Sequence, residues 1–452
     1  MPWPSATISE ISVPNGVVGG PFGSELVRAD YTPEGVPVIR GSNLRDDFTQ
    51  FSMDTITYVS PAKADTLARN LAVAGDIVVT QRGTLGQVGI VPSHSEFSRW
   101  IISQSQMRLR CDPQKAHPKY VFYWLLLPST KAYIQSNGTA SGVPHINLGF
   151  FKSLRLPLPP LSTQARIVRA LSVLDEKLEL NRKTNETLEE MSRLLFQSWF
   201  VDFDPVRAKM KGRRPLGIDR ATAALFPDEL SDGDFGPLPK GWSTTTLGSL
   251  FSLDKGLSYK GEFLTEMGSP MINLGCFKGN GVFDSDKIKG YDGEVRDVHW
   301  VSPGDLILAN TDMTQNRVVL GSPAIVPPHI DGRCLFSHHV FAARFPPAAP
   351  SALRLYCYHT LLRPEFRARA AGFATGTTVL ALPRDAVLRL SVVVPPREIL
   401  ESFGERASQI RVLQEHNDSE SRTLVQMRDQ ILPRLISGEL RVREIDQVTR
   451  SC

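Results

Sequence analysis

The side chains best suited to recognition chemistry fall in three short loops. Arg40, Ser42, Asn43 and Arg45 form the first, and Gln81, Arg82 and Thr84 the second. The third is Asn310, Thr311, Thr314, Gln315, Asn316 and Arg317, in the run Asn310–Arg317. In a DNA groove, arginine pairs with guanine, asparagine or glutamine with adenine, and serine or threonine with either. Neighbouring lysines and arginines would hold phosphates. Each loop alone also reads as a solvated turn. What favours DNA is that the loops recur at corresponding places in two halves of the chain.

Catalytic constellations are missing from the sequence. There is no Gly-x-x-x-x-Gly-Lys-Ser/Thr phosphate loop. The Asn/Asp-Pro-Pro-Tyr/Phe motif of amino-methyltransferases is absent, as are His-x-x-x-His and Gly-x-Ser-x-Gly. Gly83, Gly86 and Gly89 have loose dinucleotide-loop spacing, but no helix pattern opens there, so they read as turns. His338 and His339 have no carboxylate at metal-ligand spacing and read as a surface or core pair. The sequence therefore points to a non-catalytic binding protein without a cofactor or metal of its own.

Bulk properties agree. The 452 residues suggest more than one domain, and 41% hydrophobic with 22% charged residues is ordinary for a soluble globular protein. A net charge of +4 permits nucleic-acid binding without demanding it. The five cysteines are scattered, with no Cys-x-x-Cys spacing, which suits a reducing cytosol. The N-terminus has no signal-peptide pattern, and the apolar run at 121–127 is too short to span a bilayer. The expected location is cytoplasmic.

The elements that must position the loops are laid out twice. Residues 1–160 read as a mixed α and β unit, with strands at Val36–Ile39, Asp76–Thr80, Gln87–Val91 and Met107–Leu109 and a buried helix at Pro118–Leu127. A proline pair, Pro159 and Pro160, closes it. Residues 161–204 follow as a long helix in which Ile167, Leu174, Asn181, Leu188 and Leu195 step by seven, with Leu171, Leu178 and Met191 between. Alone it reads either as a core helix or as one that pairs with another helix. Residues 205–238 are a Gly-, Pro- and charge-rich connector, expected to be partly ordered. Its Arg207, Lys209, Lys211, Arg213 and Arg214 form either a solvated loop or a phosphate contact.

Residues 239–396 then repeat the first unit. Gly268–Asn273 echoes Gly35–Arg40, Pro303–Leu308 echoes Ala74–Val79, and Gly321–Pro327 echoes Gly86–Pro92. Residues 397–437 form a second long helix, with Phe403, Ile410, Asn417, Leu424 and Ile431 as its ladder. Each of these follows its counterpart in the first helix at a constant offset of 236 positions, as Pro395 follows Pro159. Pro433 should kink or end this helix, with Gly438 as a stop, and 438–452 is a tail. Two matching narrow seams in one chain should pair. An antiparallel pair of about 35 residues per helix would make a rod of roughly 50 Å. Asn181 and Asn417 would then meet near its middle and lock the register, unless both are simply part-exposed polar positions.

Several of these segments together resemble the specificity subunit of type I restriction–modification systems. They are Leu156–Arg166 with the long helix, Leu195–Val206, Leu238–Trp242, the two Gly-Asp-Ile/Leu strands and Leu432–Val442. One departure is Arg397–Leu400 after the second proline pair, where the first has Leu161–Gln164. The resemblance implies an α+β architecture: two α/β target recognition domains in tandem, 1–160 and 239–396, separated by two long helices forming an antiparallel coiled coil. Each domain would read one half of a split site on double-stranded DNA. The helices would set the unread spacer and dock two modification (methyltransferase) subunits, and through them two restriction (motor-nuclease) subunits. S-adenosylmethionine, ATP and magnesium would act on those partners. Base-reading residues vary among such proteins, so the loop residues above rest on composition alone. The alternatives are a tandem-domain scaffold that never touches DNA, and an enzyme with an unfamiliar site.

Overall fold

The computed structural model describes residues 3–44, 51–53, 55–93, 95–139, 142–233, 236–313, 317–330, 332–376 and 379–440. The chain divides into two compact units that are not continuous in sequence. One comprises Met1–Asn181 with Glu420–Cys452, the other Arg182–Ser419. Each unit therefore holds one globular body and a stretch of both long helices.

In the first unit a four-stranded antiparallel sheet runs in the order Ser12–Gly19, Gln106–Cys111, Ile77–Thr80, Val88–Ile90. A five-stranded sheet runs Tyr31–Thr32, Thr57–Val59, Val36–Ile39, Trp100–Ile102, Leu71–Ala72. Within it only Val36–Ile39 and Trp100–Ile102 are parallel, with Val38 opposite Ile101. These strands are short, β-branched and buried, as apolar runs covered on both faces should be. The helix Pro118–Leu126 starts on a proline at its first position and buries every residue from Tyr120 to Leu126. It packs on the sheet residues Ile77, Val79, Met107 and Leu109. Arg155–Pro157 pairs with Ser5–Thr7 and leads to the proline pair.

The second unit repeats this topology. Its antiparallel sheet is Ser252–Lys255, Val340–Arg344, Leu306–Ala309, Pro323–Ile325. The five-stranded sheet is Leu264–Thr265, Lys289–Tyr291, Ser269–Ile272, Cys334–Phe336, Trp300–Val301, again with one parallel pair at its centre. Tyr120 and Tyr356 occupy matching places: each donates its buried hydroxyl to a strand carbonyl, of Pro157 and Val393 respectively. The duplication seen in the sequence is thus a duplication of fold.

The first long helix spans Leu161–Phe200 and the second Arg397–Ser437. The first ends short of the expected Asp204. Phe203 takes a left-handed backbone (φ 55°), and a separate helix starts at Asp204 with Pro205 in its first turn. The second runs through Pro433 instead of ending there and stops at Gly438, whose φ of +81° few other residues adopt. Burial of Leu432, Leu435 and Ile436 in the first unit's core offsets the hydrogen bond that Pro433 cannot donate.

Within each unit the two helices lie antiparallel. In the first, Lys177 and Asn181 meet Glu420, Asp175 meets Arg428, and Ile167, Val168 and Leu171 share a core with Leu432, Leu435 and Ile436. In the second, Asn185 meets Asp418, Gln414 meets Glu189, and Phe196 and Phe200 pack edge-on against Phe403. The seam differs from the expected apolar ladder. Ile167 and Phe403 are fully buried, but Leu174, Leu188, Leu195, Ile410, Leu424 and Ile431 are only partly so, and Met191 is exposed. Between the apolar ends the contacts are polar. Asn181, 2% exposed, donates to Glu420 (2.8 Å) and Ser421 (3.2 Å), while Asn417 donates to Asn185 (2.8 Å). Residue 181 thus lies opposite 421 within the first unit, and 417 opposite 185 within the second, each one helical turn from the register that was expected to set 181 against 417.

The connector is folded, contrary to the expectation of partial order. It contains the helices Asp204–Met210 and Arg220–Leu225 and a hairpin of Leu230–Gly233 with Gly236–Pro239. Its few apolar residues, Val206, Ile218 and Phe226, enter the second unit's core beside Trp199 and Trp242. Two of its cations are used internally: Lys209 donates to the carbonyls of Ala223 and Phe226, and Arg207 to that of Asp202. Lys211, Arg213 and Arg214 are exposed.

Candidate nucleic-acid interface

In each unit three strand ends deliver loops to one place, held by the same backbone bonds. In the first unit Ser103 N–H donates to Ile39 (2.9 Å), and Gln81 and Arg82 N–H both donate to Ser105 (2.8 and 3.1 Å). In the second, Ser337 N–H donates to Ile272 (2.8 Å) and Asn310 N–H to His339 (2.9 Å). A glycine-rich hairpin then closes on each cluster. Ile146 N–H donates to Gln81 (3.0 Å), and Leu382 N–H to Asn310 (2.7 Å). The loops singled out by composition in the first unit, 40–43 and 81–84, are thus brought together. They share the floor made by Thr80, Gln87, Ser103 and Gln106: Gln87 accepts from Thr80 (3.2 Å) and donates to Leu44 (3.3 Å), and Ser103 donates to Gln106.

The side chains at these loops divide by what they touch. Asn43 is fully buried; its amide donates to Ser52 (3.1 Å) and its oxygen accepts from Arg40 N–H (2.9 Å). Asn310, 3% exposed, donates to the carbonyl of His338 (3.0 Å). Thr311 is also buried and bonds His339 Nδ1 (2.9 Å) within the short pairing of Thr311–Asp312 with Leu380–Ala381. These three were expected to read bases; in this structure their side chains hold the loops in shape. A buried amide left without its partner would cost more than the bond it makes, so turning one toward a ligand carries that cost. Arg40 is half-buried and donates to Thr55. Gln81 is half-buried too, while Ser42, Arg82 and Thr84 are exposed. Arg317 is exposed at a left-handed position (φ 53°) and donates to Ala371 (3.3 Å). Arg45, Thr314, Gln315 and Asn316 lie outside the described residues.

Several participants were not visible to composition. Gln104 ties down the distant loop of Gly23 and Leu26, and His145 faces Thr139 across the hairpin (Oγ1 to Nδ1, 2.7 Å). His338 and His339 lie with ring centroids 3.9 Å apart beside Tyr259. Burial holds both imidazoles below their usual range, so they are neutral donors or acceptors near neutral pH. The signal that could have found them is positional: Ser103–Ser105 and Ser337–His339 follow corresponding strands of the repeat.

Among the described residues no group of three or more His, Cys, Asp or Glu side chains could hold a metal ion, and no helix is long and apolar enough to cross a membrane. The site is thus built twice, on corresponding strand ends of two copies of one fold.

Comparison with known proteins shows what the chain is similar to. Residues 25–190 match the type I restriction modification DNA specificity domain. The chain is 25% identical over 403 residues to the type I restriction enzyme HindI specificity subunit of Haemophilus influenzae, covering 76% of this chain and 82% of that one. It is 22% identical over 383 residues to the MjaIX specificity subunit of Methanocaldococcus jannaschii, covering 82% and 79%. The type I S subunit from M. genitalium shares the fold, with a TM-score of 0.53 at 16% identity over 96% of both chains. The chain is thus similar over most of its length to specificity subunits of type I restriction–modification systems.

Proposed function

We propose that this chain is the DNA sequence-recognition subunit of a type I restriction–modification complex. Each unit reads one half of a bipartite target, the long helices set the number of unread base pairs, and the chain itself catalyses nothing. The observation that carries this reading is the repeated loop cluster, built on the same strand ends and the same backbone bonds in both units. Ser42, Arg82 and Thr84 in the first unit and Arg317 in the second are the exposed candidates for base or phosphate contact. Half-buried Arg40 and Gln81 lie beside them, and Arg45, Thr314, Gln315 and Asn316 belong to the same loops.

The partners are double-stranded DNA, two modification subunits and two restriction subunits, in the cytoplasm. S-adenosylmethionine would bind the modification subunits and ATP with magnesium the restriction subunits. Methyl transfer to a base requires the base to leave the stack. In this division of labour the present chain supplies only the address. The helices carry exposed apolar side chains, among them Val173, Leu180, Met191, Leu194, Val412 and Leu413, which suit docking of the modification subunits.

The test is a footprint followed by an exchange. The chain assembled with its modification subunits should protect two half-sites, with affinity falling steeply with salt. Exchanging residues 1–150 for those of another family member should alter one half-site only. Absence of sequence-specific protection would leave a scaffold that does not bind DNA, and a change in both half-sites would refute modular reading.

A further inference from the structure

Phe22 is 87% exposed, the most exposed aromatic side chain among the described residues. Exposed phenylalanines are common enough singly, but this one is held by a loop that has no freedom to hide it. Its N–H donates to Glu25 Oε2 (2.7 Å). Gln104 Nε2 donates to the carbonyls of both Gly23 (2.6 Å) and Leu26 (2.8 Å). Leu26, 4% exposed, is anchored among Val36, Val38, Val59, Leu67 and Ile101. On the other side Gly20 lies flush on the next strand end, where a Cβ would come within 1.9 Å of the Ser103 carbonyl. The loop is pinned at both ends, and its tip carries an aromatic ring into solvent.

The pinning residues place that ring. Gln104 sits between Ser103 and Ser105, and Ser105 accepts the N–H groups of Gln81 and Arg82. Phe22 therefore stands on the same strand ends as the proposed base-reading loops of the first unit. The loop also carries exposed Ser24 and Arg28. Its single acid, Glu25, is used to cap the loop, and Asp30 beyond it is paired with Lys63 (3.1 Å). A depression of about 440 Å³ beside it is lined by Gly23, Val27, Arg28, Tyr31 and Ser103–Ser105.

We propose that Phe22 is an apolar wedge that enters a base step of the half-site read by the first unit, with Arg28 on a flanking phosphate. Partial unstacking of a step by an inserted apolar side chain is a known way for proteins to read deformability and to deepen contact. This rests on the DNA-reading function, which it deepens by naming how one unit engages the duplex.

The experiment uses the full chain assembled with its modification subunits, and duplexes carrying the methylated site mapped in host DNA. 2-Aminopurine is placed singly at each position of the two half-sites except the methylated adenines, which leave the stack for methyl transfer whatever Phe22 does. Wild type should raise its fluorescence at one step of the first half-site. Phe22→Ala and Phe22→Ser should abolish that rise and weaken binding about tenfold, while Phe22→Leu keeps both. An unchanged thermal midpoint shows that the variants fold, as expected for a side chain with so little packing. Two protected half-sites with no unstacked step, or a signal that survives Phe22→Ala, overturn the wedge and leave the reading function standing. Wild type that protects neither half-site overturns both.

Discussion

Asn417 donates its side-chain amide to Oδ1 of Asn185 at 2.8 Å, and the same Asn185 donates to Asp418 at 2.7 Å. This polar site lies where a heptad ladder would put leucine against leucine. A polar pair in a helix seam sacrifices stability for a fixed axial register. The double variant Asn185→Leu/Asn417→Leu should therefore raise the thermal midpoint, by about 1–3 kcal/mol in stability, and relax the spacer that the assembled complex accepts. Asn417→Ala alone should cost about 1 kcal/mol. Thermal unfolding and the range of spacer lengths methylated check this. A stabilised double variant that keeps a single spacer would show that the apolar helix ends set the register without help.

A second buried site links Arg428, on the second long helix, to Asp175 on the first (3.6 Å), and Asp175 accepts the Tyr123 hydroxyl at 2.6 Å. Burial outweighs these partners and holds the Asp175 carboxyl above its ordinary range. Removing the cation leaves an uncompensated acid. Arg428→Met should destabilise by about 3 kcal/mol, and adding Asp175→Asn should recover much of it. Denaturant unfolding of the two single variants and the double variant measures the coupling. Additive losses would mean that the pair does not interact.

The matching position in the other unit behaves differently. His359 bonds Ser192 Oγ (2.9 Å), and burial, with Arg411 adding repulsion, pushes its imidazole down to about 3. The sign follows from proton binding. Below about pH 6.5 the unfolded chain takes up a proton that the folded chain refuses until about pH 3, so this residue makes stability fall as pH falls through that window. Above it the contribution is constant. His359→Gln should flatten the slope, and the difference between wild type and variant should shift by about 2 kcal/mol between pH 7 and pH 5. A constant difference across that range would rule out a neutral, buried imidazole.

The fold was legible where its signals are local and repeated. The 236-residue offset aligned the two helix ladders and the two proline pairs, and the structure places Tyr120 and Tyr356 at the same offset, on the corresponding carbonyls of Pro157 and Val393. Heptad spacing gave the phase of the helix seam but not its axial shift. That shift depends on non-local contacts, Asn181 with Ser421 in one unit and Asn185 with Asn417 in the other. The connector was misread because Gly, Pro and charge dominate its composition, while the burial of Val206 and Phe226 depends on Trp199 and Trp242. The site was the hardest part. Nothing in the sequence separates Asn43, whose amide is consumed by Ser52, from Ser42 next to it, which is exposed.

That separation yields the sharpest test of the interface. Arg82 is exposed, and its backbone is fixed by Ser105 and by a bridge to His145. Arg82→Ala should leave the thermal midpoint unchanged. If Arg82 reads a guanine, the variant should lose about 1–3 kcal/mol of binding and relax one position of the first half-site. If it holds a phosphate, binding should weaken across sequences and the salt dependence should drop by about one ion. Asn43→Ala should do the reverse: it leaves the Ser52 carbonyl and the Arg40 N–H unpaired, costs about 1–3 kcal/mol of stability, and weakens the first half-site only through a loosened loop. Methylation-site profiling paired with thermal unfolding reads both variants at once. Loss of selectivity in Asn43→Ala at full stability would put the amide back among the base readers.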